Sequence, residues 1–129
     1  MCDDKFEKGM SIRREVLGDK YVDKALQSVT DFTKPLQKAV TEGCWGSIWT
    51  REGLPKTTRS LITIAMLVSM KNFDELKLHV HGALRNGCTK EEIQEVLLQA
   101  VYYCGAPAGI GGFKAVKEVI EAWDDSPDT

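Results

Sequence analysis

The sequence predicts an all-α chain, and three observations carry that reading. Apolar residues recur at spacings of three and four in several stretches between residues 4 and 123, alternation of the strand type is nearly absent, and helix start and stop signals bracket the periodic segments. With 129 residues, 43% of them apolar and 28% charged, the chain reads as one domain over residues 1–129. A core of that size needs neither disulfides nor a structural metal.

The elements follow in order. Two amphipathic segments open the chain, about Asp4 to Leu17 and Tyr21 to Val29, and a third runs from about Thr33 to Glu42. Pro55 suits the first turn of a helix reaching about Met70. Within it, Leu61 to Val68 is apolar on nearly every side. Such a helix must be surrounded, and a small chain cannot cover it all round, so a homo-oligomer is expected. Asn72 caps the next helix, which carries Leu76, Val80, Ala83 and Leu84 on one side and Arg85 near its C-terminus, where a cation suits the helix dipole. Gly87 ends that helix, and a short Asn86-Gly87-Cys88 turn leads back into its antiparallel partner. The partner runs from about Thr89 to Tyr103, opened by the capping box Thr89-Lys90-Glu91-Glu92, with Ile93, Val96, Leu97, Ala100 and Val101 on its apolar face. A last helix spans about Pro107 to Trp123; glycines 109, 111 and 112 weaken its start, so propensity places its firm part from Phe113 onward. The acidic stretch Asp124 to Thr129 is expected to fray.

Charge and cysteine usage narrow the function. Seventeen Lys and Arg against nineteen Asp and Glu give a net charge of −2, which argues against a nucleic-acid binder. Cys2, Cys44, Cys88 and Cys104 are scattered, with no C-x-x-C pair, and read as reduced thiols of a cytoplasmic protein. The start, Met-Cys-Asp-Asp, has no apolar signal region, and no stretch is long enough to span a bilayer.

Three groups of residues could carry chemistry. Glu75 and His79 stand four apart on one helix face, a spacing that makes a tunable acid/base pair. Asn72 and Glu75 are equally spaced for a cap in which Glu75 reaches back to the Asn72 amide. His81 lies about 200° around the helix from His79, so the two rings cannot share a metal, and His81 reads as a surface or interface residue. No other histidine exists and no carboxylate cluster suggests a metal site. Trp45 and Trp49, four apart, lead into Arg51, with Arg59 a turn into the next helix. Flat aromatic walls beside guanidinium forks suit a planar anionic ligand, although the tryptophans also fit a core and the arginines could pair with Glu42, Glu52 or a neighbouring subunit. The glycine-rich stretch Tyr103 to Phe113 matches no nucleotide-binding motif, and close helix packing accounts for its glycines.

The segments Trp45-Gly46-Ser47-Ile48-Trp49-Thr50-Arg51, Gly53-Leu54-Pro55, Arg59 to Leu67, Glu75 to His79 and Glu92 to Gln99 together closely resemble the carboxymuconolactone decarboxylase family, which also holds alkylhydroperoxidase D. The resemblance covers about Phe6 to Trp123. It implies an alkylhydroperoxidase D-like helical bundle subunit, assembled as a homohexamer. It also implies decarboxylation of a small anionic lactone, 4-carboxymuconolactone, to an oxoadipate enol-lactone in protocatechuate catabolism, with no cofactor. By motif match it implies His79 as acid or oxyanion donor, Glu75 as its partner, Arg51 and Arg59 as anchors, and Trp45 and Trp49 as pocket walls.

The chain departs from that pattern at one place: Ile110-Gly111 stands where the decarboxylases carry Asn-His. In the hydroperoxidase branch a C-x-x-C-x-x-x-H motif occupies the helix where this chain reads Asn72, Glu75 and His79, so both redox cysteines are missing. The alternatives to the lactone decarboxylase are therefore a peroxidase-family protein without its cysteine pair, or a paralogous decarboxylase or ligand-binding oligomer for another small anion.

Overall fold

A computed structural model describes residues 2–125, and every regular element among them is helical. The chain divides into two compact units, Met1–Pro55 and Lys56–Thr129.

In the first unit, α1 (Cys2–Leu17) and α2 (Asp19–Gln27) meet at Gly18, whose φ of 92° is the left-handed geometry that glycine adopts without a steric penalty. Arg14 at the end of α1 bonds Asp19 at 3.2 Å and Asp23 at 2.8 Å, tying the two helices at the surface. The third helix does not stop near Glu42 as the pattern predicts. Its α-helical part, α3 (Lys34–Ala39), continues without a break into a π-helix, Val40–Trp49. The π-helix packs on α1 with almost no spacing. A Cβ at Gly9 would stand 2.8 Å from the Gly46 amide nitrogen, so the two backbones touch where only glycines fit. Ile12, Val16, Val22, Trp45 and Trp49 close the core of this unit, and the buried Arg13 donates to Gln37 Oε1 at 2.9 Å and Thr41 Oγ1 at 3.4 Å.

The second unit is built from α4 (Lys56–Ser69), α5 (Phe73–Arg85), α6 (Lys90–Tyr103) and α7 (Ala106–Asp125) around a core centred on Ile64, Val68, Leu76, Val80, Ile93 and Leu97. Both helix ends that the sequence marks are built as expected. Thr89 accepts from the Glu92 amide at 3.0 Å while the Glu92 carboxylate accepts from the Thr89 amide at 2.8 Å, completing the capping box. Gly87, at φ 97°, closes α5, with the Cys88 amide bonded to the Ala83 carbonyl at 2.9 Å.

As the apolar pattern of α4 leads one to expect, the described residues do not cover this helix all round: Ser60, Ile64, Leu67 and Val68 are buried, but Met66 is 58% exposed and Ile62 38%. Two expectations need correction. The last helix is ordered from Ala106, not from Phe113. Its glycines are where packing overrides propensity: Gly109 lies against Val101 of α6, and Gly112 against Val68 and Leu97. Residues 124 and 125 belong to that helix, and Asp124 pairs with Lys90; residues 126–129 of the expected frayed tail lie outside the described residues.

Candidate active site

The residues singled out by sequence fall in both units. Trp45 and Trp49 sit in the π-helix with their rings stacked, centroids 5.1 Å apart and planes 28° from parallel. Both are buried, 4% and 7% exposed. A π-helix is an uncommon geometry that recurs at functional sites, and this one sets the aromatic pair. Thr50 Oγ1 bonds the Gly46 carbonyl at 2.8 Å at its end, and the exposed Arg51 follows, its amide bonded to the Ile48 carbonyl at 3.0 Å.

In the second unit, Arg59 belongs to the first turn of α4, and Glu75 and His79 to α5, which packs on α4. Glu75 is exposed in the first turn of α5, and His79, one turn further on the same face, is largely buried. Burial pushes the His79 imidazole down to about 4, so it is neutral at physiological pH. The alternative use of Glu75 at the cap is not the one built. Asn72 Oδ1 accepts from the Glu75 amide at 3.4 Å, but the Asn72 amide already donates to the Leu67 carbonyl at 3.0 Å, closing the end of α4. Lys71, at φ 55°, makes that turn.

His81 is half-buried, packed edge-on against Trp123 with centroids 5.6 Å apart, and burial and the Arg85 charge push it below its ordinary value. Among the described residues, no group of three or more His, Cys, Asp or Glu is placed to hold a metal ion, and no helix is long and apolar enough to cross a membrane. Cys44, Cys88 and Cys104 are free thiols, and burial together with Glu92 pushes Cys88 up to about 11. None of them is on α5, where a peroxidase pair would stand.

Residues 34–118 match the carboxymuconolactone decarboxylase family. The chain belongs to this family. Its relatives within reach include the nitrosuccinic acid decarboxylase of Metarhizium robertsii, 42% identical over 115 residues that span 89% of this chain and 80% of that protein. The 4-carboxymuconolactone decarboxylase of Acinetobacter baylyi is 36% identical over 124 residues, covering 96% of this chain and 92% of that one. Membership in the carboxymuconolactone decarboxylase family together with these two relatives makes this protein an enzyme of the carboxy-lyase kind.

Two groups of residues were not singled out by sequence and bear on the site. Phe73 opens α5, and its ring lies against Gly111 of α7. Asn86 and Cys88, in the turn after α5, bond back to the first turn of α4 beside Arg59. Single residues in a turn carry no periodic signal, so neither contact could be found without the helices in place.

Proposed function

We propose that this protein decarboxylates 4-carboxymuconolactone to the oxoadipate enol-lactone without a cofactor, in the cytoplasm and in aromatic catabolism. The observation that carries the reading is His79, an imidazole held neutral by burial on the helix face it shares with Glu75.

The chemistry follows from the substrate. Loss of CO2 from the ring carbon leaves an electron pair that moves through the ring double bond onto the lactone carbonyl oxygen, and a proton then returns to carbon. The rate depends on stabilising that developing oxyanion. A neutral imidazole N–H donates a hydrogen bond to it without first having to lose a proton, which is the oxyanion-donor half of the role inferred for His79. An acid role would need the imidazolium, which burial disfavours at neutral pH. Glu75, exposed one turn away, is the group that exchanges a proton between solvent and the substrate carbon. Arg51 and Arg59 anchor carboxylates, and Trp45 and Trp49 offer a flat apolar wall.

A second substrate is favoured by the 42% identity to the nitrosuccinic acid decarboxylase. Nitrosuccinate is also a dicarboxylate, and the electron pair left by CO2 moves onto nitro oxygens as it would onto a lactone carbonyl. The same donor and the same anchors serve both. As to assembly, we propose that copies of the chain, which works as one domain, form a homohexamer; the exposed Ile62 and Met66 of α4 with Leu98 and Tyr102 of α6 support this.

Purified protein mixed with 4-carboxymuconolactone, and separately with nitrosuccinate, tests the reading by loss of lactone absorbance and release of CO2. Turnover of the lactone that His79→Ala leaves within a few-fold of wild type would remove His79 from the mechanism. Turnover of nitrosuccinate alone would assign the second substrate.

A further inference from the structure

We infer that Asn86 and Cys88 are positioning residues, which set Arg59 at the start of α4 and His79 on α5 in one fixed arrangement. The inference rests on the proposed roles of Arg59 and His79.

Asn86 Nδ2 donates to Ser60 Oγ at 2.9 Å, and the accepting Ser60 is 1% exposed while Asn86 is half-buried. Cys88 Sγ donates to the Thr57 carbonyl at 3.4 Å. Thr57 and Ser60 bracket Arg59 within a single helical turn, and Thr63 Oγ1 holds the Arg59 carbonyl itself at 2.8 Å. The donors are equally fixed on their own side. The Asn86 amide bonds the Gly82 carbonyl at 2.9 Å and the Cys88 amide the Ala83 carbonyl at 2.9 Å, so the backbone of both residues is anchored to the end of α5.

His79 lies seven residues before Asn86, about 10 Å along the α5 axis. Together with the core shared by α4 and α5, these two hydrogen bonds fix the end of the His79 helix against the turn that carries Arg59. Both acceptors, the Thr57 carbonyl and Ser60 Oγ, lie within the first five residues of α4, so the bonds tie the start of that helix to the end of α5. A thiol pushed well above its ordinary value keeps its proton and remains a donor at any pH the enzyme meets. Ser60 is a buried polar residue in a face otherwise used for the apolar core, and acceptance from Asn86 gives it a partner.

The test measures kcat and KM with 4-carboxymuconolactone, and with nitrosuccinate in parallel, for Asn86→Ala, Ser60→Ala, Cys88→Ala and Cys88→Ser, beside Arg59→Ala and His79→Gln. Asn86→Ala and Ser60→Ala are each expected to lower kcat/KM about tenfold or more in protein that is folded by circular dichroism. The double variant should be no worse than either single, and Cys88→Ser, which keeps a donor, should retain more activity than Cys88→Ala. Wild-type kcat and KM in folded Asn86→Ala and Ser60→Ala, with KM raised in Arg59→Ala and kcat lowered in His79→Gln, would overturn the positioning role and leave the proposed mechanism standing. Full activity in Arg59→Ala and His79→Gln would instead overturn the mechanism. Ser60→Ala removes only a hydroxyl and serves if Asn86→Ala does not fold. A readout independent of turnover is the NMR signal of the His79 ring and of the Arg59 side chain: both shift in Ser60→Ala if the clamp positions them, and unchanged signals reject it.

Discussion

Gly111 lies directly against the ring of Phe73: a Cβ at position 111 would stand 2.7 Å from Cε2 and closer still to Cζ. The space a side chain would occupy at the start of α7 is filled in this protein from α5. The two residues therefore have to change together. Gly111→His in the wild-type background should destabilise by about 1–3 kcal/mol, the usual cost of overpacking. On a Phe73→Ala background the same change should cost clearly less, with a coupling on the order of 1 kcal/mol in a urea-unfolding double-mutant cycle. Strict additivity would show that the ring does not occupy the place of the missing side chain.

The contact also marks where sequence reasoning reached its limit. Long periodic helices were legible from apolar spacing and caps: Thr89 with Glu92, Gly87 and Asn72 all end or start helices as their residue types predict. The start of α7 is not legible from propensity, because Gly109, Gly111 and Gly112 look like helix breakers, while in the fold each is the small residue that a neighbouring helix requires. The π-helix is not legible in the sequence, since no residue type signals it; in the fold it contains Gly46, whose backbone packs directly on α1. Of the site, Glu75 and His79 were readable as helix neighbours, but the neutrality of His79 was not, since burial is a property of the surroundings and not of spacing.

His79 as a neutral hydrogen-bond donor makes a definite prediction for the pH profile. With an imidazole that titrates near 4, kcat should stay level from pH 8 down to about 5.5 and fall only below that. An imidazolium acid would give the opposite trend, with activity rising as the pH drops. His79→Gln keeps a donor of different reach and should lower kcat by roughly 10²–10³ with a smaller effect on KM, the usual result of losing an oxyanion donor. Steady-state rates across pH settle both points.

Arg51 and Arg59 should differ from His79 in the kinetic constant they move. An anchor that holds a carboxylate in both substrate and transition state contributes uniform binding, so its loss raises KM with kcat largely kept. Arg51→Gln and Arg59→Gln are each expected to raise KM roughly tenfold or more, as expected for a hydrogen bond to a charged group. Lysine at either position should recover only part of this, because it lacks the two-pronged fork. A fall in kcat without a change in KM would exclude the anchoring role.

The exposed apolar face of α4 predicts the behaviour of Met66. In an isolated chain, a side chain that is 58% exposed tolerates substitution with a change within about 0.5 kcal/mol. If a second copy covers it, Met66→Lys places a charge in an apolar interface and the assembly dissociates while the helix content is retained. Sedimentation velocity of the variant beside wild type distinguishes the two. An unchanged sedimentation coefficient would place any interface elsewhere.

Finally, the two histidines predict how stability depends on pH. Both are pushed below their ordinary value by burial, His79 to about 4 and His81 with help from Arg85. The unfolded chain binds protons at these sites with the ordinary value of 6.5, so between 6.5 and about 4 it holds more protons than the folded chain. Folding is therefore most favourable above 6.5, and stability is lost progressively as the pH falls toward 4. For His79 alone the loss from pH 7.5 to 5 is roughly 1–2 kcal/mol. Urea midpoints at those two pH values should move accordingly in wild type and move much less in His79→Gln, the residual slope belonging to His81. An equal slope in the variant would show that His79 is not held neutral in the folded chain.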